Sequence, residues 1–277
     1  DIILENTKFS FFADRSDILI KNIFGTTNFL KINDGDLKIK LSEETSLESN
    51  FISKIKYTNQ EKKYENLKKR FKYLENLSFL EADLNNNFYI EFDQTFKVKG
   101  YDFKSNGNLK KANLNFKRPL VSDLLDDKIN KIFFKDTKIN TYFNSKSNTN
   151  NLSGKYSTDE NNFFNFDLEN INKKNLSNYK LNFYFNKKIN FNVINYEKKL
   201  GKKANLHLDF EKSKNKLKIN ELKFKEKDNS FFVKNLIFNK NKFSSVQKIL
   251  IKTEKNGKIN NDFKIFSDEK VLITGTQ

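Results

Sequence analysis

Cysteine, methionine and tryptophan are absent from this 277-residue chain, and proline occurs once, at Pro119. Without cysteine there are no disulfides and no thiolate chemistry, and the compartment is left open. The lone histidine, His207, leaves no material for a histidine metal cluster or a Ser-His-Asp triad. It sits on the polar side of an alternating segment and reads as a surface residue. The eight glycines are scattered, with neither a GxGxxG nor a GxxxxGK(S/T) phosphate loop among them. Carboxylate pairs such as Asp126-Asp127 and Glu43-Glu44 are adjacent and surrounded by lysine, as on a solvated surface. Nothing drives two such groups to different pKa values, so no catalytic residues, metal or cofactor are expected.

Long hydrophobic runs are also missing. No stretch approaches the roughly 20 apolar residues of a membrane-spanning helix, and no signal peptide is visible. The chain begins at Asp1 and contains no methionine. The expectation is a piece of a longer protein, or a processed product, with any anchor or export segment outside it.

Lysine, asparagine, isoleucine and phenylalanine are abundant, the last with 30 copies. Their codons are built from A and T, so base composition explains much of the profile. The same bias bears on the net charge of +17, which otherwise points to nucleic acid or an anionic membrane. Arginine occurs only at Arg15, Arg70 and Arg118. Because base and phosphate readers favour its planar fork, specific nucleic-acid binding is not expected. Lysine on a solvent-facing strand surface instead discourages edge-to-edge aggregation.

The clearest pattern runs from residue 179 to 210. Tyr179, Leu181, Phe183 and Phe185 alternate with Lys180, Asn182, Tyr184 and Asn186. After Lys187-Lys188, Ile189, Phe191 and Val193 alternate with asparagine, and Ala204, Leu206, Leu208 and Phe210 repeat the device. Period-2 alternation predicts a hairpin and a further strand, apolar on one side and Lys/Asn-rich on the other.

The same reading extends over most of the chain. A hairpin is predicted around the Asp34-Gly35 turn. Phe88, Ile90 and Phe92 alternate with Tyr89 and Glu91. Gly100 and Gly107 read as turns, and residues 144–151 as a long loop or soft boundary. A phase change between Ile219 and Leu222 predicts a bulge.

Two segments break the alternation. Tyr64, Leu67, Phe71 and Leu74 recur at helical spacing, which predicts an amphipathic helix over about 61–76. Leu120, Val121, Leu124 and Leu125 predict a second, shorter helix beside Pro119. The fold class expected is therefore mainly β: one long antiparallel, curved sheet spanning residues 1–277, with one or two helices. An apolar share of 36 % suits a single sheet better than two facing ones.

A continuous face rich in Phe and Ile either packs on another sheet or lines a groove for something apolar. Acyl chains need dispersion contacts and exclusion from water but no hydrogen-bond partners. The candidate lining is Phe88, Ile90, Phe92, Phe183, Phe185, Phe191, Val193, Leu206 and Leu208. Single-stranded nucleic acid would need rings and lysines on one face, whereas alternation places them on opposite faces.

The segments DIILENTKFSFF, DILIKNIF and FLKINDGDLKIKLSEE, at residues 1–12, 17–24 and 29–44, resemble the AsmA-like superfamily. Residues 79–117, FLEADLNNNFYIEFDQTFKVKGYDFKSNGNLKKANLNFK, are similar to its YhdP-type domain. Membership would imply a bacterial envelope protein tethered to the inner membrane by a helix outside this chain. Its periplasmic part would be an elongated, taco-like β-groove that passes phospholipid acyl chains towards the outer membrane, as in bridge-like lipid-transfer proteins. The family has no catalytic motif. The alternative is a structural or adhesive all-β surface protein whose apolar faces close as a sandwich.

Overall fold

The computed structural model describes residues 4–27, 29–42, 44–59, 72–122, 124–125, 127–268 and 270–276. The fold is mainly antiparallel β, as the alternation predicts. It divides into two compact units, Asp1–Lys117 with Lys131–Asn162, and Arg118–Asn130 with Phe163–Gln277.

In unit 1, β1 (Glu5–Ala13), β2 (Asp17–Thr26), β3 (Leu30–Lys40), β4 (Ser46–Thr58), β5 (Leu77–Phe92) and β6 (Val98–Leu120) pair in chain order. The hairpin of β7 (Ile129–Asn144) and β8 (Ser147–Ser157) completes it. In unit 2, β9 (Phe164–Lys173) and β10 (Leu176–Phe185) form a hairpin. The sheet continues through β13 (Ala204–Lys212), β14 (Lys216–Glu226), β15 (Asn229–Asn239), β17 (Lys248–Lys255), β18 (Lys258–Asp268) and β19 (Lys270–Thr276). The short β16 (Lys242–Ser245) folds back on the end of β15. Two three-residue strands, β11 (Ile189–Phe191) and β12 (Tyr196–Lys198), form a separate small sheet.

Several expected turns are strand interior. Asp34-Gly35 lies within the continuous β3, beside a register irregularity between Ile32 and Asp34. A Cβ on Gly35 would stand 2.8 Å from Phe51 Cβ and 3.0 Å from Asn50 O, so the glycine serves close strand approach rather than a turn. Gly100 and Gly107 both fall inside the 23-residue β6. Residues 85–87, which on sequence pattern separate a strand at Phe79–Leu84 from the one carrying Phe88, Ile90 and Phe92, continue as one strand, β5. There the Asn86 amide donates to Ser53 Oγ at 2.9 Å and its Oδ1 accepts from Ser105 Oγ at 2.8 Å. A buried polar rung with both neighbours satisfied is compatible with a sheet interior.

Residues 144–151 form no long loop. Asn144 Oδ1 accepts from the Lys146 and Ser147 amides at 2.8 and 2.7 Å, closing a tight turn into β8. The bulge predicted near Ile219 is present: Asp209 pairs with Glu221 and Phe210 with Ile219, leaving Asn220 as the extra residue. Most of the helix expected over 61–76 lies outside the described residues; Lys72–Asn76 is a single 3-10 turn. No helix forms over 120–125 among the described residues, where Leu125 instead makes an isolated bridge to Ile189. Leucine spacing misled here because both leucines serve a tertiary contact. Among the described residues no helix is long and apolar enough to cross a membrane.

Close strand approach makes a direct test. A Cβ on Gly107 would meet Asp83 O at 2.1 Å, whereas nothing lies within 4 Å of one on Gly100. Gly35→Ala and Gly107→Ala should each destabilise by about 1–3 kcal/mol, and Gly100→Ala by less than about 0.5 kcal/mol. Urea midpoints that fail to separate Gly100→Ala from the other two would contradict this reading.

Candidate functional site

Cross-strand register assembles the apolar face of unit 2 row by row. Phe166, Phe183, Leu206 and Phe224 stand opposite one another along one row, and Phe231 continues it on β15. The next row holds Leu168, Leu181, Leu208, Leu222, Val233 and Ile249. Beyond it come Tyr179, Phe210, Ile219 and Leu236. The last row changes character, with Lys212 opposite Leu217 and Leu217 opposite Phe238. Residues facing each other across strands point to the same side.

One end of this face is covered by the chain itself. The segment carrying β11, a 3-10 turn (Asn192–Ile194) and β12 lies over it as a flap. Ile189 and Tyr196 form a buried cluster with Phe185, Ala204, Phe224 and Phe231, and Leu125, Phe191 and Ile194 pack against it. The Phe191 ring stacks on Phe231 at 5.3 Å, and Tyr196 meets the same ring edge-on at 5.0 Å. Such ring pairs contribute about 0.5–1.5 kcal/mol each beyond area burial.

Polar bonds fasten the flap. Asn261 Nδ2 donates to Ile194 O and to Thr253 Oγ1, both at 2.7 Å, with Asn261 and Thr253 fully enclosed. Tyr196 Oη donates to Glu226 at 2.8 Å, and Asn190 N donates to Leu124 O at 3.1 Å. Lys198 is 0 % exposed; its ammonium donates to Lys187 O at 2.6 Å and lies 5.1 Å from the centre of the Phe185 ring.

Beyond the flap the face is open. Among the described residues, the buried apolar ones of unit 2 are Phe166 and members of the flap cluster, whereas Leu181, Leu208, Leu222, Val233 and Ile249 remain half-buried. Within unit 2 the described strand contacts are those of sheet neighbours, and no second sheet except β11–β12 occurs there among the described residues.

The candidate lining residues are distributed unequally. Phe183, Phe185, Leu206 and Leu208 share the unit 2 face, with Phe185 sealed under the flap. Phe191 belongs to the flap, not to a strand paired with β10, so the hairpin expected across Lys187-Lys188 does not form. Alternation continued through residues 189–193, but β10 already has β9 and β13 as partners, leaving β11 to pair with β12. Val193 is 95 % exposed on the 3-10 turn and lines nothing.

Phe88, Ile90 and Phe92 lie along one face of β5 in unit 1, opposite Ser49 and Leu47 on β4 and near Phe51, whose ring meets that of Phe88 at 6.3 Å. There the apolar face is interrupted by buried Ser49, Ser53, Asn86 and Ser105. The expectation of an unbroken apolar face therefore fails in unit 1, because small polar residues can bond across strands without leaving the sheet.

The opposite face is not free of rings. Lys203 lies 4.1 Å from the centre of the Tyr184 ring, Lys223 5.7 Å from that of Phe232, and Lys248 5.2 Å from that of Phe266. Separation of rings and lysines by alternation is thus incomplete, and the lysines cover these rings by cation–π contact. His207 is on this face, its Nε2 3.5 Å from Glu221 Oε1. No cluster of metal-binding side chains occurs among the described residues.

Sequence reasoning passed over Thr253, Asn261 and Lys198, since single polar residues inside strands carry no local signal of what they fasten. No protein-family model matches the chain, and no curated protein matches it.

Burial lowers the Lys198 pKa from its ordinary 10.5, with the Glu226 carboxylate opposing part of the shift. The folded pKa lies below the unfolded one, so between them the unfolded chain binds the extra proton and stability rises with pH. Urea unfolding followed as the pH rises towards 10.5 should therefore show the native chain gaining stability relative to Lys198→Met. Parallel pH profiles for the two would exclude a desolvated ammonium at this position.

Proposed function

We propose that the chain is a non-catalytic lipid-binding segment, in which the open apolar face of unit 2 holds a hydrocarbon chain of a phospholipid. The observation that carries this reading is the contrast in burial along one sheet. Where the flap covers the face, Phe185, Ala204, Phe224 and Phe231 are at most 9 % exposed; one row further on, leucine, valine and isoleucine stay half-exposed. Fully burying such a side chain stabilises by about 1.5–3 kcal/mol, so a face of this kind gains from an apolar occupant. The bonds of the sheet are satisfied between strands, which suits an acyl chain that offers none.

A closed sandwich would need a second layer over Leu208 and its neighbours, and unit 2 has none among its described residues. The resemblance to AsmA-like proteins supports reading this lipid-binding segment as part of a bridge-like lipid-transfer protein of the bacterial envelope.

Phospholipid should co-purify with the chain and be detected by mass spectrometry of its organic extract. Leu181→Asp with Leu208→Asp should cut retention at least about tenfold, since a carboxylate within an apolar contact costs more than the ~1.4 kcal/mol that corresponds to a decade. Val193→Asp, at an exposed position away from the face, should leave retention unchanged. Equal retention by all three proteins would refute the proposal.

A further inference from the structure

Resting on that reading, we infer that the groove of unit 2 has a fixed polarity: its occupant is an anionic phospholipid, with the phosphate held at the β13–β14 turn. At this end, opposite the flap, a cavity of about 440 Å³ is lined by Phe210, Leu217 and Phe238 together with Lys212, Lys214 and Lys216. The first three belong to the open apolar face, so hydrocarbon and ammonium groups meet in one hollow. Two backbone bonds set its floor. Ser213 N donates to Lys216 O at 2.8 Å to close the turn, and Lys240 N donates to Asn215 O at 2.7 Å to join the neighbouring β15–β16 turn.

The three lysines are exposed, and among the described residues no ion pair engages them. Nearby carboxylates are turned away: Asp209 and Glu211 lie on the opposite face, where both accept from Asn220 Nδ2, at 3.0 and 3.1 Å. The end of the hollow is therefore positive without internal neutralisation. It complements a headgroup of net negative charge better than one whose phosphate is balanced by its own cation.

Length agrees with this placement. From Leu208, in the first row beyond the flap, to Lys212 at the turn, four residues of strand at ~3.3 Å each span about 13 Å. One leaflet of a bilayer core is ~15 Å thick, so an acyl chain of that reach covers the rows between the turn and the flap. The flap closes the far end, so the chain terminus lies there and the headgroup at the lysines.

Three arms of a binding experiment on the full chain test this. The probes are a fluorescent phosphatidic acid, a phosphatidylcholine with the same acyl chains, and inorganic phosphate. Phosphatidic acid should bind roughly tenfold more tightly than phosphatidylcholine at low salt, with the preference shrinking as salt rises. The triple variant Lys212→Gln, Lys214→Gln, Lys216→Gln should lose this preference, keep phosphatidylcholine binding and retain the native urea midpoint. Lipids bound equally by the native chain, or a preference that survives in the triple variant, would overturn the headgroup site while leaving the acyl groove intact. Failure to bind either lipid would overturn the groove itself. Inorganic phosphate bound as tightly as the anionic lipid would show a free-anion site and overturn the lipid assignment.

Discussion

The structure depends on one constraint: successive strand residues point to opposite sides, and antiparallel register brings like sides together. In unit 2, β9, β10, β13, β14, β15, β17 and β18 each contribute apolar residues to the same face, so the register that satisfies the backbone also assembles that face. A slip of one residue in any strand would send lysines into it. The Asn220 bulge shows how phase is kept. It absorbs one residue so that Leu222 and Ile219 stay on the same side although their spacing is odd.

A face so built gains from being covered, and the flap shows what covering requires. Apolar contact alone would hold three-residue strands loosely, since an isolated two-stranded ribbon is marginal in water. The bonds from Asn261 to Ile194 O and from Tyr196 to Glu226 therefore matter as much as the ring contacts. Lys198 is a different kind of anchor. Its ammonium is satisfied by Lys187 O but has no carboxylate bonded to it among the described residues, and burial of the charge lowers its pKa.

Alternation made the strands legible, along with the apolar face and its bulge, because each depends on neighbours in the chain. What stayed illegible depends on distant partners. Asp34-Gly35 is a good local turn, yet the approach of Phe51 turns it into strand interior. Three asparagines at residues 85–87 look like a break until Ser53 and Ser105 take up the Asn86 amide. Residues 189–193 carry the same pattern as a strand of the main sheet. Whether they extend that sheet or fold over it was decided by β9 and β13 already occupying both edges of β10. Of the candidate lining, Leu206 and Leu208 stand on the apolar face of unit 2 where phase puts them, whereas Val193 lies on a 3-10 turn that phase does not reveal.

Charge completes the picture in a way that composition could not. An excess of lysine from base composition would spread evenly, and much of it does, in exposed pairs such as Lys110 with Asp83 and Lys99 with Glu44 that contribute little to stability. At the turn between β13 and β14 the same residue type stands beside Phe210, Leu217 and Phe238 with no ion pair among the described residues. Position therefore distinguishes these lysines where identity does not. A lysine beside a carboxylate neutralises it, and a lysine over a ring shields it from water. A lysine at the mouth of an apolar surface, with neither partner among the described residues, is where the proposed preference for an anionic headgroup rests.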